Sequence, residues 1–337
     1  MILKDLEGYN KVTIQCHDIP DADALASGFA MYKYFASKGA NVSFIYSGDL
    51  EIQKSDLDLM VHELGIPVVH RNPDNKAHIS GLLLMVDCQY GCGNVTKFSA
   101  DTVAVIDHHQ IQMEVHDLCE IRPELGSCST LCYHLIKEAG YAVDDDIVLS
   151  TALFYGLNKD TGGFTDMHSK LDKTMFCELE YDKGIYDKIL NANISVKELR
   201  TMGVALIRSL FNQIHKYAII PYDGACDPNV LGIISDVLLS VNGVNACIVY
   251  NVLPNGYKLS VRSCDPMVKA NELASFITRG IGSGGGHQTK AGGFVSLSKY
   301  EEAFDCISFD TYITDIMHEF YDTFVVGEHD SCECQHD

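Results

Sequence analysis

The sequence predicts an α/β protein: a parallel sheet with helices on both faces, followed by a smaller α/β domain. Three observations carry this. Short apolar runs of strand length alternate with segments of helical period through the first half of the chain. Those runs lack strict polar alternation, as suits central strands of a parallel sheet. In the second half, two strand-like runs flank Pro254-Asn255-Gly256, a hairpin signal. The 337 residues set a prior of about two domains.

In order, residues 11–16 (KVTIQC) read as a buried strand. Residues 22–38 read as a helix with Leu25, Phe29, Tyr32 and Ala36 on one face. Strands are expected at 41–46, 66–70, 81–86 and 102–106, and helices at 55–64, 127–139 and 146–157. Residues 184–213 read as mostly helical. The second block offers strands at 216–221, 246–252 and 257–262, helices at 229–240 and 270–278, and a glycine run at 282–286. The expected domains are 1–190, a helical connector 191–213, a second domain 214–325 and a polar tail 326–337.

Lys+Arg 25 against Asp+Glu 46 gives a net charge of −21. Binding to duplex DNA or to an anionic membrane needs clustered positive charge, so neither partner is expected. No apolar run approaches the ~20 residues of a membrane-spanning helix. MILKDLEGYN lacks the apolar core of a secretion signal, and the 13 cysteines read mostly as reduced thiols. Both point to the cytoplasm.

Four acid or histidine clusters follow apolar runs. They are His17-Asp18-Ile19-Pro20-Asp21-Ala22-Asp23, then Asp87, then Asp107-His108-His109, and finally Asp160 after the helical stretch TALFYGLN. In a parallel sheet the carboxyl ends of the strands line one crevice, so these side chains converge. Carboxylates a few Å apart cannot all stay ionised without a cation. Imidazole plus carboxylate suits manganese, with cobalt, iron, zinc or magnesium as further candidates, and about six ligands suit two ions. Taken singly, each cluster has an ordinary reading as well: Asp21 can cap the helix at Ala22, and Asp87 and Asp160 can be turn residues. Spacing does not rank His108 against His109 as a ligand.

HDIPDADALAS resembles the first motif of the DHH phosphoesterases, of the form HxxPDxDAxxS, and Asp107-His108-His109 is similar to the tripeptide that names them. VDCQYG around Asp87 resembles their second motif, and Asp160-Thr161-Gly162-Gly163-Phe164 their fourth. GSGGGHQTKAGGF resembles the GGGHxxAxG signature of the DHH-associated substrate domain, as do LSVRS and ANELA before it. The resemblance implies that His17, Asp21 and Asp87 hold one manganese, and that Asp23, Asp87, His108 and Asp160 hold the other. It also implies that His109 faces the substrate phosphate, with Asp107 orienting its neighbours. In the second domain, Arg262, Ser263, Gly284, Gly285, Gly286 and His287 are the implied substrate residues. Ser27 is read as helix packing, not a nucleophile. Lys290, Cys88 and Gln89 depart from the common family text.

The two-domain, acidic architecture resembles the nanoRNase and cyclic-dinucleotide phosphodiesterase group. It implies hydrolysis of linear dinucleotides such as pApA, very short RNA or cyclic di-AMP, through a hydroxide activated by two metals, in a chain that can form a homodimer. Two alternatives stay open: a phosphomonoesterase acting on 3′-phosphoadenosine 5′-phosphate or another small metabolite, and a metal-dependent nucleotide sensor without turnover.

Overall fold

The computed structural model describes residues 3–192, 194–223 and 228–326. The chain divides into two units, Met1–Ser195 and Val196–Asp337. Residues 327–337 of the expected polar tail lie outside the described residues.

The first unit runs β1 (Lys11–Gln15), α1 (Ala22–Ser37), β2 (Asn41–Tyr46), α2 (Ser55–Leu64), β3 (Val68–His70), β4 (Ile79–Val86), β5 (Ala100–Asp107) and β6 (Cys119–Ile121). Helices α3 (Cys128–Glu138), α4 (Ile147–Asp160), α5 (Lys170–Glu178) and α6 (Lys183–Asn191) follow. The six strands form one parallel sheet in the order β3-β2-β1-β4-β5-β6. The chain winds outward from β1 in one direction and returns through β4 to wind the other way, so a crevice opens between β1 and β4 at their carboxyl ends.

The α/β class and the parallel sheet flanked by helices are as expected. Val12, Ile14, Leu82, Leu84, Val86, Ala104 and Ile106 face the helices, which all contribute to that one core. The opposite face, with Ile45, Leu83, Met85 and Val105, is closed by Cys88, Val95, Phe98 and Met113 from connecting segments. Segments between the strands, more than helices, thus close this second face. Right-handed crossovers between β4, β5 and β6 place their connections on that second face, and GCGN at 91–94 breaks a helical pattern there.

Helix α4 is apolar nearly all round because it is buried between neighbours. At Gly156 a Cβ would lie 2.3 Å from Ser129 Oγ and 3.0 Å from Ala26 Cβ, so α1, α3 and α4 meet closely at this point. Asp160 is the last residue of α4 rather than a loop residue beyond it. The short edge strand β6 and helix α5 were not expected from the sequence.

The second unit contains α7 (Val196–Ile207), β7 (Leu210–Asn212), β8 (Tyr217–Tyr222), α8 (Pro228–Leu239), β9 (Ala246–Leu253) and β10 (Gly256–Ser263). It continues with α9 (Ala270–Thr278), β11 (Gly282–Gly286), β12 (Lys290–Ser296), α10 (Leu297–Ala303) and α11 (Phe309–Tyr321). Its sheet has the order β11-β12-β10-β9-β8-β7, parallel between β8 and β9 and antiparallel at the other pairings. Ile234 and Leu238 of α8 pack on one face, and α9 and α11 fill the other with Leu273, Ile277, Ile313 and Met317. One expectation changes: the stretch 191–213 ends in strand β7, not helix. The glycine run forms strand β11. Gly284 is glycine because a Cβ would lie 2.5 Å from the Ala274 carbonyl oxygen of α9. Among the described residues, no helix is long and apolar enough to cross a membrane.

Candidate metal centre

Three adjacent strands deliver the expected side chains to one place. His17 follows β1, Asp87 follows β4, and Asp107 ends β5 ahead of His108 and His109. Helix α1 adds Asp21 at its N-cap and Asp23 in its first turn, and α4 adds Asp160. Asp87 occupies the left-handed region at φ 59°, which Asp tolerates better than most residues. Strain of this kind concentrates where a side chain must point into a site.

Asp87 is at the centre. His17 Nε2 lies 3.6 Å from its Oδ2, while His108 Nε2 and His109 Nδ1 lie 3.4 and 3.7 Å from its Oδ1. His108 Nε2 is also 3.2 Å from Asp160 Oδ2 and 3.7 Å from Asp23 Oδ2, and His17 Nε2 is 3.9 Å from Asp21 Oδ2. Most of these separations are too long for good hydrogen bonds. They suit ligands arranged around a shared ion, because metal–ligand bonds of ~2.0–2.2 Å at tetrahedral or octahedral angles set neighbouring ligand atoms about 3–3.5 Å apart. Asp87 Oδ1 is buried and accepts no hydrogen bond. A buried carboxylate oxygen without a donor is costly unless a cation meets it. The donor set therefore fits divalent cations: His17, Asp21 and Asp87 around one position, and Asp23, Asp87 and His108 around a second, with Asp160 beside it.

Hydrogen bonds decide between the two histidines. His108 Nδ1 lies 3.2 Å from the Leu125 carbonyl oxygen, so it is the protonated nitrogen and Nε2 turns its lone pair to the carboxylates. His109 Nδ1 donates to Asp107 Oδ1 at 2.8 Å, and that nitrogen is thereby committed. Asp107 is completely buried, and its other oxygen accepts a 2.7 Å bond from Gln89 Nε2. Gln89 also donates to the Gln110 carbonyl at 3.0 Å and accepts from the Gln112 amide at 2.7 Å. It thus clamps the turn that carries both histidines. Sequence reading marked Gln89 only as a departure from the family text. The signal for its role was its place two residues after Asp87.

The ordinary and functional readings coexist at α1. Asp21 Oδ1 caps the helix through the Ala24 amide at 3.0 Å, which leaves Oδ2 beside His17. Asp23 accepts from the Cys128 and Ser129 amides at 2.6 and 2.8 Å, so the N-terminus of α3 fixes its carboxylate. Asp18 binds the amide and hydroxyl of Thr96 at 2.9 and 2.8 Å and pins the segment after β4.

Without a cation the cluster redistributes protons. Burial pushes Asp21 and Asp23 above the usual carboxylate range, and neighbouring Asp87 and Asp160 add to this. Burial pulls His17 down, but Asp87, Asp21 and Asp18 outweigh it and raise the imidazole to about 9. His108 is raised in the same way by Asp160 and Asp87 against its burial. Burial likewise acts to raise Asp87, yet His108, His17 and His109 hold it far below its usual value.

In the second unit, Arg262 donates from Nε to Asp236 Oδ1 at 2.8 Å and from Nη1 to Ser260 Oγ and the Val261 carbonyl. Ser263 is buried; its hydroxyl lies 3.3 Å from the Asn245 carbonyl and accepts from the Asp265 amide. Gly284, Gly285 and Gly286 pair along β12, and the His287 amide donates to the Lys290 carbonyl. Ser27 Oγ lies 3.5 Å from Ser129 Oγ between α1 and α3, in a packing position.

Comparison with known proteins agrees with this anatomy. Residues 11–157 match the DHH family, N-terminal domain, and residues 214–308 match the DHHA1 domain. An uncharacterized protein of Methanocaldococcus jannaschii is 24% identical over 298 residues, which cover 87% of this chain. The matched stretch spans 59% of that relative's length. The crystal structure of an exopolyphosphatase-related protein from Bacteroides fragilis has the same fold. Its TM-score is 0.68 at 21% identity, covering 96% of this chain and 94% of that one.

Proposed function

Since the chain belongs to the DHH family, with its N-terminal domain followed by a DHHA1 domain, we propose that it is a manganese-dependent phosphodiesterase acting on short linear nucleotides. The observation that carries the reading is Asp87: a buried carboxylate with one oxygen accepting no hydrogen bond, shared between two groups of ligands. His17, Asp21 and Asp87 would hold one ion, and Asp23, Asp87, His108 and Asp160 the other. Bound there, a pair of cations supplies Lewis-acid chemistry that lowers the pKa of water and polarises a phosphoryl oxygen.

The chain's own groups do the rest. Asp107 fixes the His109 ring through Nδ1 and favours its cationic form; burial pulls the imidazole down, but Asp107 and Asp87 leave it raised overall. A cationic His109 can donate to a phosphoryl oxygen or protonate a departing one. Its side chain is 34% exposed, so a substrate can reach it, whereas His108 at 1% cannot leave its place. The net charge of −21 argues against long polyanions and is compatible with small ones. Products expected from pApA, short RNA and cyclic di-AMP are nucleoside monophosphates. A cytoplasmic location and a homodimer belong to the same proposal.

The test is a panel of linear dinucleotides, cyclic dinucleotides and RNAs of increasing length with manganese, resolved by chromatography. Release of monophosphates from the shortest substrates supports the reading. Release of inorganic phosphate alone favours the phosphomonoesterase, and binding without turnover favours the sensor.

A further inference from the structure

Helix α4 carries two charged residues, and they are neighbours in its last turn: Lys159 and Asp160. Successive residues on a helix point about 100° apart, so the two reach different surroundings. Asp160 reaches the metal centre, with Oδ2 3.2 Å from His108 Nε2. Two forces oppose it there. The C-terminal end of a helix is the negative end of its dipole and disfavours a carboxylate. Like charge is also close, since Asp87 and Asp160 both act to push the Asp23 carboxyl up. Something other than an ion must therefore aim Asp160 before an ion arrives.

Lys159 reaches Asp56 instead. Asp56 lies in the first turn of α2, where an acid ordinarily complements the helix dipole from the surface. Here it is completely buried, and Lys54 beside it is buried too. Asp56 Oδ2 accepts from the Tyr155 hydroxyl at 2.8 Å and from Lys54 Nζ at 3.2 Å, and Lys159 Nζ lies 3.5 Å from it. Its Oδ1 accepts from the Leu57 amide at 3.1 Å. Burial and then Asp56 push the Tyr155 phenol well above its usual range, so it stays a donor. Tyr155 and Lys159 are four residues apart on α4 and share one face. The Lys159 ammonium also lies 5.8 Å from the centre of the Tyr155 ring. One buried carboxylate thus grips two successive turns of α4.

Apolar burial is non-directional, whereas a charge-assisted bond has a preferred line. The rest of α4 is uncharged and packs in the core. Beyond Asp160 the helix is closed by Thr161, whose hydroxyl and amide donate to the Leu157 carbonyl at 2.5 and 3.0 Å. The turn that holds Asp160 therefore moves as one piece with Lys159.

We propose that Asp56 is a positioning residue for the metal centre. It anchors Lys159 and Tyr155, and so sets the rotation of the last turn of α4 and the aim of Asp160 at the second ion position. This rests on the metal-centre reading, under which Asp160 is a ligand, and its test separates the two.

Equilibrium titration of the full chain with manganese reads the two ion positions without turnover. Asp56→Asn keeps the shape of the side chain and loses the charge that holds both lysines. The ion among Asp23, Asp87 and His108 is expected to bind about ten- to 100-fold more weakly, while the ion among His17, Asp21 and Asp87 binds as in the native chain. One dissociation constant moves and the other does not. Lys159→Met should act in the same direction, and its side chain is 25% exposed, so the core tolerates the change. Combined with Asp56→Asn, it should weaken that ion less than about two-fold further, because both variants break one contact. A role in stability alone lowers the melting temperature and cannot move one ion without the other. Both constants unchanged in Lys159→Met, both weakened alike, or two effects that simply add would each overturn the proposal and leave the metal centre in place. If Asp56→Asn does not fold, Lys159→Met decides alone. If the native chain binds no manganese, the metal-centre reading fails and the positioning role falls with it.

Discussion

Asp87 is the residue on which both candidate ion positions depend, since it belongs to each group of ligands. Asp87→Ala should lower manganese-dependent turnover by at least 10³-fold, measured on pApA, because it removes the ligand common to both ions. Retention of full activity would misplace the site. Gln89→Ala tests the support beneath it. Loss of its bonds to Asp107 and the 110–112 turn should cut kcat roughly ten-fold with little change in KM, since the positioning of His109 is affected and substrate affinity is not. A ten-fold rise in KM at constant kcat would contradict that role. The histidines add a pH dependence. His17 is raised from 6.5 to about 9 in the folded chain, so its contribution to the metal-free fold is fully present below pH 6.5 and is lost as pH rises through 9. A cation needs the neutral ring, so its binding competes with that proton. The melting temperature of metal-free protein should fall between pH 6.5 and 9, while the stabilisation from manganese grows over the same interval. Scanning calorimetry with and without the ion reads both slopes.

At the scale of elements, the site is built by close approach of α1, α3 and α4 around Asp23. Gly156 permits it, and Gly156→Val should destabilise the first unit by about 1–3 kcal/mol or more, because Ser129 Oγ and Ala26 Cβ leave no room for a side chain. Thermal denaturation reads this directly. An unchanged midpoint would show that the helices can part at no cost. The same elements show what a sequence can reveal. β1, β2, β4 and β5 announce themselves as apolar runs, and the acids just past their ends follow from the parallel topology. His108 was not separable from His109 by spacing, because the difference lies in Leu125 and Asp107, one of them 17 residues away. β11 does not announce itself as a strand, because glycines signal turns. Here Gly284 instead relieves contact with α9, and Gly285 pairs with Gly292 of β12. The coil-covered face escaped notice since Val95 and Phe98 have no period that marks them as core.

At the scale of the whole molecule, a chain of net charge −21 brings several aspartates and histidines into one buried cradle in its first unit, an arrangement that suits cations. The measurement that tests the central claim most directly is the stoichiometry of manganese on the full chain, by equilibrium titration at pH 7.5. Two ions per chain for the native sequence and loss of both in Asp87→Asn are predicted. Absence of binding at saturating manganese, or a count untouched by Asp87→Asn, would contradict it.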